Sequence, residues 1–241
     1  MSNYKHLNPN PIKEIIVGIS LRQLFKNPKD LVMLKDALHE RFPLSREATE
    51  TSISFNAKLE QAPIFDRAVK GIHLTTSDTQ DLLRLETQLF ETRTKRRYVN
   101  FETTLENFLK TFDLVSRSAT DMQIGNMVTL EYVNQFLFNY DELNKFFKVI
   151  PCISLPPDQF SMNQFTGVYK TLTRTGVIAN VVSEILPVVD KLQVSFIISV
   201  SKTKAGLNQK DFPAILKELN QTACDIFFNN LTEEYTRGKV S

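Results

Sequence analysis

The chain has 241 residues, 42% hydrophobic and 23% charged, and its 29 basic residues against 27 acidic ones leave a formal charge of +2. That near-balance gives no electrostatic argument for nucleic acid or a membrane surface, and no apolar run approaches the roughly 18 residues of a membrane helix. The N-terminus lacks the charged start and apolar middle of a signal peptide, and Cys152 and Cys224 stand far apart with no CxxC, so a cytoplasmic protein with buried thiols is expected, without metal or cofactor.

Residues 1–11 are polar, are broken by Pro9 and Pro11, and read as an arm. Ile15, Val17, Ile19 and Leu21 alternate and predict a strand. Asn27 as N-cap and Pro28 at the first helical position then open a helix. Its apolar stripe is Leu31, Leu34, Leu38 and Phe42, and Pro43 closes it. Three β-like stretches follow. Residues 51–60 put Ile53, Phe55, Ala57 and Leu59 on one side, and 71–77 is shorter. Residues 81–93 set Leu83, Leu85, Thr87 and Leu89 against Arg84, Glu86 and Gln88. After a basic turn, Asn100 caps a helix with Phe101, Leu105, Phe108, Leu109 and Phe112 at helical spacing.

From residue 126 the pattern starts again. Val128, Leu130, Tyr132, Phe136 and Phe138 alternate as a strand, Asn139 with Glu142 makes a capping-box-like helix start, and Pro151 ends that helix. Strands are predicted in "FTGVYKTLTR", "GVIANVVSEILPV" and "KLQVSFIISVSKTK". The last of these turns Leu192, Val194, Phe196, Ile198 and Val200 to one face and mainly polar residues to the other. A second basic turn leads to a final helix with the stripe Phe212, Ile215, Leu219, Ile226 and Phe227.

Residues 11–118 and 119–240 thus both read strand, helix, three strands, helix, which predicts an internal duplication within a single domain, 1–241. Strands with one polar and one apolar face imply an α+β fold, with the two tandem halves forming one curved antiparallel sheet and the helices on one face. That architecture resembles the tandem arrangement of TATA-box-binding proteins. The comparison concerns shape alone, because fold does not imply function.

Four stretches carry a further resemblance: "NPIKEIIVGISL", "FPL", "IGNMVTLEYVNQF" and "FFNNLTEEY". In order and spacing they resemble, over almost the whole chain, a sporadically distributed family of uncharacterised bacterial proteins. Members begin with Pro-Ile-x-Glu and a strand, carry a central Leu-Arg-Tyr-Ile-Asn-Arg-Ile-like strand, and end Phe-x-x-x-Leu-Thr-x-x-x-Arg. Leu130, Tyr132, Val133 and Asn134 match the central motif, whereas Glu131 and Gln135 stand where the family has Arg. An anion-binding role for those arginines is therefore not implied here. The family's patchy occurrence implies an accessory context such as toxin–antitoxin, immunity or phage defence.

No GxSxG, Gly-rich phosphate loop, HExxH or paired DxD occurs. His6, His39 and His73 fall where surface residues are expected. No catalytic residue is assigned, and a non-enzymatic protein is expected. The central-motif residues Glu131, Tyr132 and Asn134 are the first candidate site. Against a binding role stands the structural one, in which Tyr132 and Asn134 tie a central strand to a neighbouring loop. The basic turns are the second. Arg93, Lys95, Arg96 and Arg97 in one half and Lys202, Lys204 and Lys210 in the other suit phosphate or an acidic partner, unless they are simply solvated loop tips. The leading expectation is an accessory factor that holds a partner protein. The alternative is a nucleic-acid binder using the open sheet face and basic loops, followed by a hydrolase with an unrecognised site.

Overall fold

The computed structural model describes residues 10–26, 29–54, 64–139 and 165–232. Its elements are β1 (Ile12–Gln23), α1 (Lys29–Leu38), β2 (Leu44–Ser54), β3 (Ile64–Thr75), β4 (Asp81–Glu86) and β5 (Leu89–Thr94), then α2 (Phe101–Ser118) and β6 (Gln123–Phe138). After these come β7 (Phe165–Leu172), β8 (Val177–Val188), β9 (Lys191–Thr203) and α3 (Phe212–Asn230). The fold is α+β. Nine strands make one open antiparallel sheet in the order β2-β3-β4-β5-β1-β6-β9-β8-β7. The chain clusters into two compact units, residues 1–17, 95–105 and 127–241 (unit 1) and residues 18–94 and 106–126 (unit 2).

In unit 2 the inner face of β3 and β4 is Ile72, Leu74, Leu83 and Leu85, paired directly across the two strands and buried. Phe90 of β5 continues that row opposite Leu85. The α2 stripe closes over it: the Phe90 ring meets Phe108 at 5.7 Å and Phe112 at 5.0 Å, both edge-on, an arrangement that adds to area burial. Asn100 caps α2 as expected, its Oδ1 accepting the Thr103 N–H at 2.8 Å. Leu31, Leu34, Leu38 and Phe42 are all buried. However, α1 stops at Leu38, and a turn brings the Phe42 N–H to the Leu38 carbonyl before Pro43 is reached. The expected cap Asn27 lies outside the described residues, as does the helix placed after Asn139.

Two strand expectations change. The strand placed at 51–60 is β2, ending at Ser54, and residues 55–60 lie outside the described residues. The single strand placed at 81–93 is a hairpin, in which β4 and β5 pair from Asp81↔Thr94 to Glu86↔Leu89 around Thr87 and Gln88. The turn is pinned from β3, because the Lys70 carbonyl accepts both the Thr87 N–H, at 2.8 Å, and its hydroxyl, at 2.9 Å. Lys70 is also the extra residue of a bulge, since Ala48 pairs with Gly71 and Thr49 with Val69. A side chain at Gly71 would collide with the Leu85 carbonyl oxygen and come within 2.6 Å of Glu86 Cα. Only glycine fits there.

In unit 1 the expected alternation holds along β6: Val128, Leu130, Tyr132, Phe136 and Phe138 are buried, and Asn134 shares their phase. Leu192, Val194, Phe196, Ile198 and Val200 of β9 pair with them. Helix α3 packs on β9 and β8 and buries Phe212, Ile215, Leu216, Leu219, Ala223 and Phe227. The Phe227 ring lies 6.2 Å from both Phe136 and Phe196. No helix among the described residues is long and apolar enough to cross a membrane.

Candidate functional site

The central motif divides between the two faces of β6. Tyr132 and Asn134 point inward and are 5% and 2% exposed, while Glu131 lies half-buried on the outer face. A buried hydroxyl or amide must find a partner. Tyr132 donates to Asn220 Oδ1 on α3 at 2.7 Å. Asn134 Nδ2 donates to the carbonyl of its cross-strand neighbour Phe196 at 3.0 Å. The two residues therefore tie β6 to a helix and to the adjacent strand, not to a loop as expected. The Cys224 thiol shares Asn220 Oδ1 at 3.6 Å, and the Tyr98 ring meets Tyr132 edge-on at 6.2 Å.

Burial governs what this cluster can do chemically. It pushes both tyrosine hydroxyls well above their ordinary range. Burial, with the Asp225 charge added, pushes the Cys224 thiol up to about 12. None of the three supplies a nucleophile or base near neutral pH. Among the described residues no group of three or more His, Cys, Asp and Glu is placed to hold a metal.

The outer face of β3–β5 in unit 2 carries an ionic ladder. His73, Arg84 and Glu91 stand opposite one another across the three strands. His73 Nε2 lies 2.8 Å from Glu86 Oε1, which also accepts from Arg84 at 2.8 Å. Glu91 accepts from Arg84 at 3.1 Å and from Arg93 at 2.6 Å. Burial alone would pull the Glu86 carboxyl up, but the hydrogen bonds from His73 and Arg84 outweigh it and hold the group below the usual carboxylate range.

The outer face of unit 1 is organised in rows. Val133, Ile197, Val182 and Val168 pair across β6, β9, β8 and β7 and form an apolar row. On one side runs Gln135–Ser195–Glu184, on the other Glu131–Ser199–Asn180–Lys170. The three residues Val133, Ile197 and Val182 are half-buried, and Val168 is 67% exposed.

The basic turns are less available than their sequence promises. Arg93 belongs to the ladder. Lys202 lies on the helix-covered face and pairs with Glu218 of α3 at 2.7 Å, and Lys204 pairs with Asp211 at 2.5 Å. Lys95, Arg96, Arg97 and Lys210 are exposed.

Of the ladder, only Arg93 is among the candidate site residues singled out by sequence, and none of the apolar row is. The row has a partial signal in hindsight: Val133 and Ile197 stand between polar residues in their phases of β6 and β9, whereas Val182 shares its phase with Ile178, Leu186 and Val188. The ladder has none without the hairpin that creates it. Compared with protein-family models and with curated proteins, the chain matches none of them.

Proposed function

We propose that this protein is a non-enzymatic accessory factor that holds a partner protein on the outer face of β6–β9. The observation that carries the reading is the row Val133–Ile197–Val182–Val168 with polar rows on both sides. An apolar centre inside a polar rim is the anatomy of a protein interface. The same face speaks against the nucleic-acid alternative. It carries Glu131 and Glu184 with Lys170 as its counterweight, and its centre has no aromatic ring for a base to stack on. In unit 2, Arg84 and Arg93 are already engaged by Glu86 and Glu91.

The reading takes the chain to belong to the sporadic bacterial family it resembles, with an antitoxin, immunity or phage-defence role and a cytoplasmic location. It also takes residues 11–118 and 119–240 as tandem, TATA-box-binding-protein-like halves of one domain. The strand order supports the duplication in part: the first strand of each stretch, β1 or β6, is central beside the last, β5 or β9, and the order runs outward to β2 and β7, although 11–118 has four strands after its first helix where three were expected. The test is purification from the native host, with bound protein and nucleic acid identified, for the wild type and for Val182→Glu/Ile197→Glu. A protein lost from the variant while its melting temperature holds supports the reading. Bound nucleic acid instead, or equal retention by both, overturns it.

A further inference from the structure

We infer that β7 pairs with β7 of a second copy of this chain, antiparallel and centred on Val168. The inference goes beyond the proposed holding of a partner, and uses the edge of the sheet rather than its face. Three observations meet on β7. First, it ends the strand order, with β8 as its one neighbour among the described residues. Second, it is uncovered on both faces at once: Val168 and Leu172 are 67% and 68% exposed, and Tyr169, which points the other way, is 42% exposed. A body lying on one face would leave the other bare, whereas a strand continuing the sheet covers both.

Third, the phase of the backbone is fixed. The Thr173 N–H donates to the Val177 carbonyl at 2.8 Å, and in an antiparallel ladder the bonding groups alternate in direction from residue to residue. Thr171 and Tyr169 therefore spend theirs on β8, while Leu172, Lys170 and Val168 turn theirs to the open side.

The sequence of β7, FTGVYKTL, is compatible with its own reverse in one register above the others. Centred on Val168, the strand sets Val168 against its copy, Lys170 against Thr166, and Tyr169 against Gly167, where an aromatic ring covers the gap a glycine leaves. Centring on Lys170 opposes two like charges directly, and centring on Tyr169 leaves those lysines diagonal neighbours. The opposite edge is also exposed, Leu44 at 48% among its residues, but it is blunted. Arg46, Glu47 and Glu50 stand exposed on β2, its pairing carries the bulge, and Lys70 bonds to Glu50.

The test uses the full chain. Wild type should sediment as a dimer at tens of micromolar, and Val168→Lys as a monomer with an unchanged melting temperature. In a Cys152→Ser background, Val168→Cys should cross-link under mild oxidation at least ten times faster than Lys170→Cys. The reason is that a directly opposed pair, about 5.5 Å between Cα atoms, suits a disulfide, and a pair displaced along the strand does not. A wild type that stays monomeric overturns the inference, including the case in which a foreign protein protects the β7 amides from exchange. Equal cross-linking at the two positions, or a Val168→Lys dimer, overturns it as well. None of these outcomes bears on the face test with Val182→Glu/Ile197→Glu, so the two proposals fail separately.

Discussion

The outer faces of the two units use the same alternation for opposite ends. On β3–β5 the outward positions are filled by His73, Arg84, Glu86, Glu91 and Arg93, which satisfy one another. On β6–β9 the middle row of outward positions holds valines and an isoleucine in register, with polar rows on either side of it. A face whose charges are already matched has little to gain from a partner, since its groups would first have to be separated and dried. A half-buried apolar row gains from any surface that completes its burial. Between two equally regular sheet surfaces, residual apolar area is what distinguishes the one placed to bind.

That comparison holds only if the inner faces are alike, which is the largest effect to measure. Phe108→Ala in unit 2 and Phe227→Ala in unit 1 should each cost about 3–5 kcal/mol in denaturant titrations, because each leaves a cavity among packed rings. Phe227, at 9% exposure against 2% for Phe108, should fall at the lower end. A loss below about 1 kcal/mol at either position would mean that it is not core.

The outer faces should then diverge. Glu91→Gln weakens the acceptor shared by two guanidiniums and should cost about 1–3 kcal/mol. Ile197→Thr, on the opposite kind of face, should change stability by no more than about 1 kcal/mol. Equal costs would erase the distinction. Acid sharpens it. Because the folded Glu86 carboxyl is held below its ordinary value, it contributes stability that is present above the ordinary carboxylate range and lost as pH falls through the folded value. The stability gap between wild type and Glu86→Gln, measured from pH 7 to pH 3, should therefore shrink toward acid. A gap that widens would contradict the geometry of the His73–Glu86–Arg84 contacts.

The smallest effect is expected at the basic turn. Lys95, Arg96 and Arg97 changed together to Ala, sparing Arg93 because Glu91 needs it, should leave oligonucleotide binding at physiological salt weak and unchanged. If the wild type instead binds at micromolar concentration, removing each side chain that neutralises a phosphate should reduce the salt slope by about 0.9. That result would favour the nucleic-acid reading over the apolar face.

Much of the scaffold could be read from the chain because its strands are long and half-buried. Alternation along Gln123–Phe138 and Lys191–Thr203 places the inner faces of β6 and β9, and Asn100 marks the start of α2. The β4–β5 hairpin was not legible. Its turn, Thr87–Gln88, contains no Gly, Pro or Asn, and the leucines at 83, 85 and 89 keep an unbroken odd phase across it. What changes is that Phe90, on the even phase, becomes the fully buried residue. Once that shift is missed, Glu91 and Arg93 cannot be set beside Arg84, and the ladder disappears with the turn. The apolar row was hidden differently. Its members share their phases with other residues of both kinds, such as Ile178 and Leu186 on β8 and Leu172 on β7, and only the register of four strands lines them up.

The bulge where β3 pairs with β2 gains a second meaning if copies join through β7. A sheet with two adhesive edges adds subunits without limit, as fibrils do, whereas one adhesive and one blunted edge stop at a closed pair. Each pair would present two β2 edges, lined by Arg46, Glu47 and Glu50 and paired to a β3 that bulges at Lys70. The irregularity at Gly71 would then act as a terminator of polymerisation. Straightening it should convert a finite assembly into a growing one.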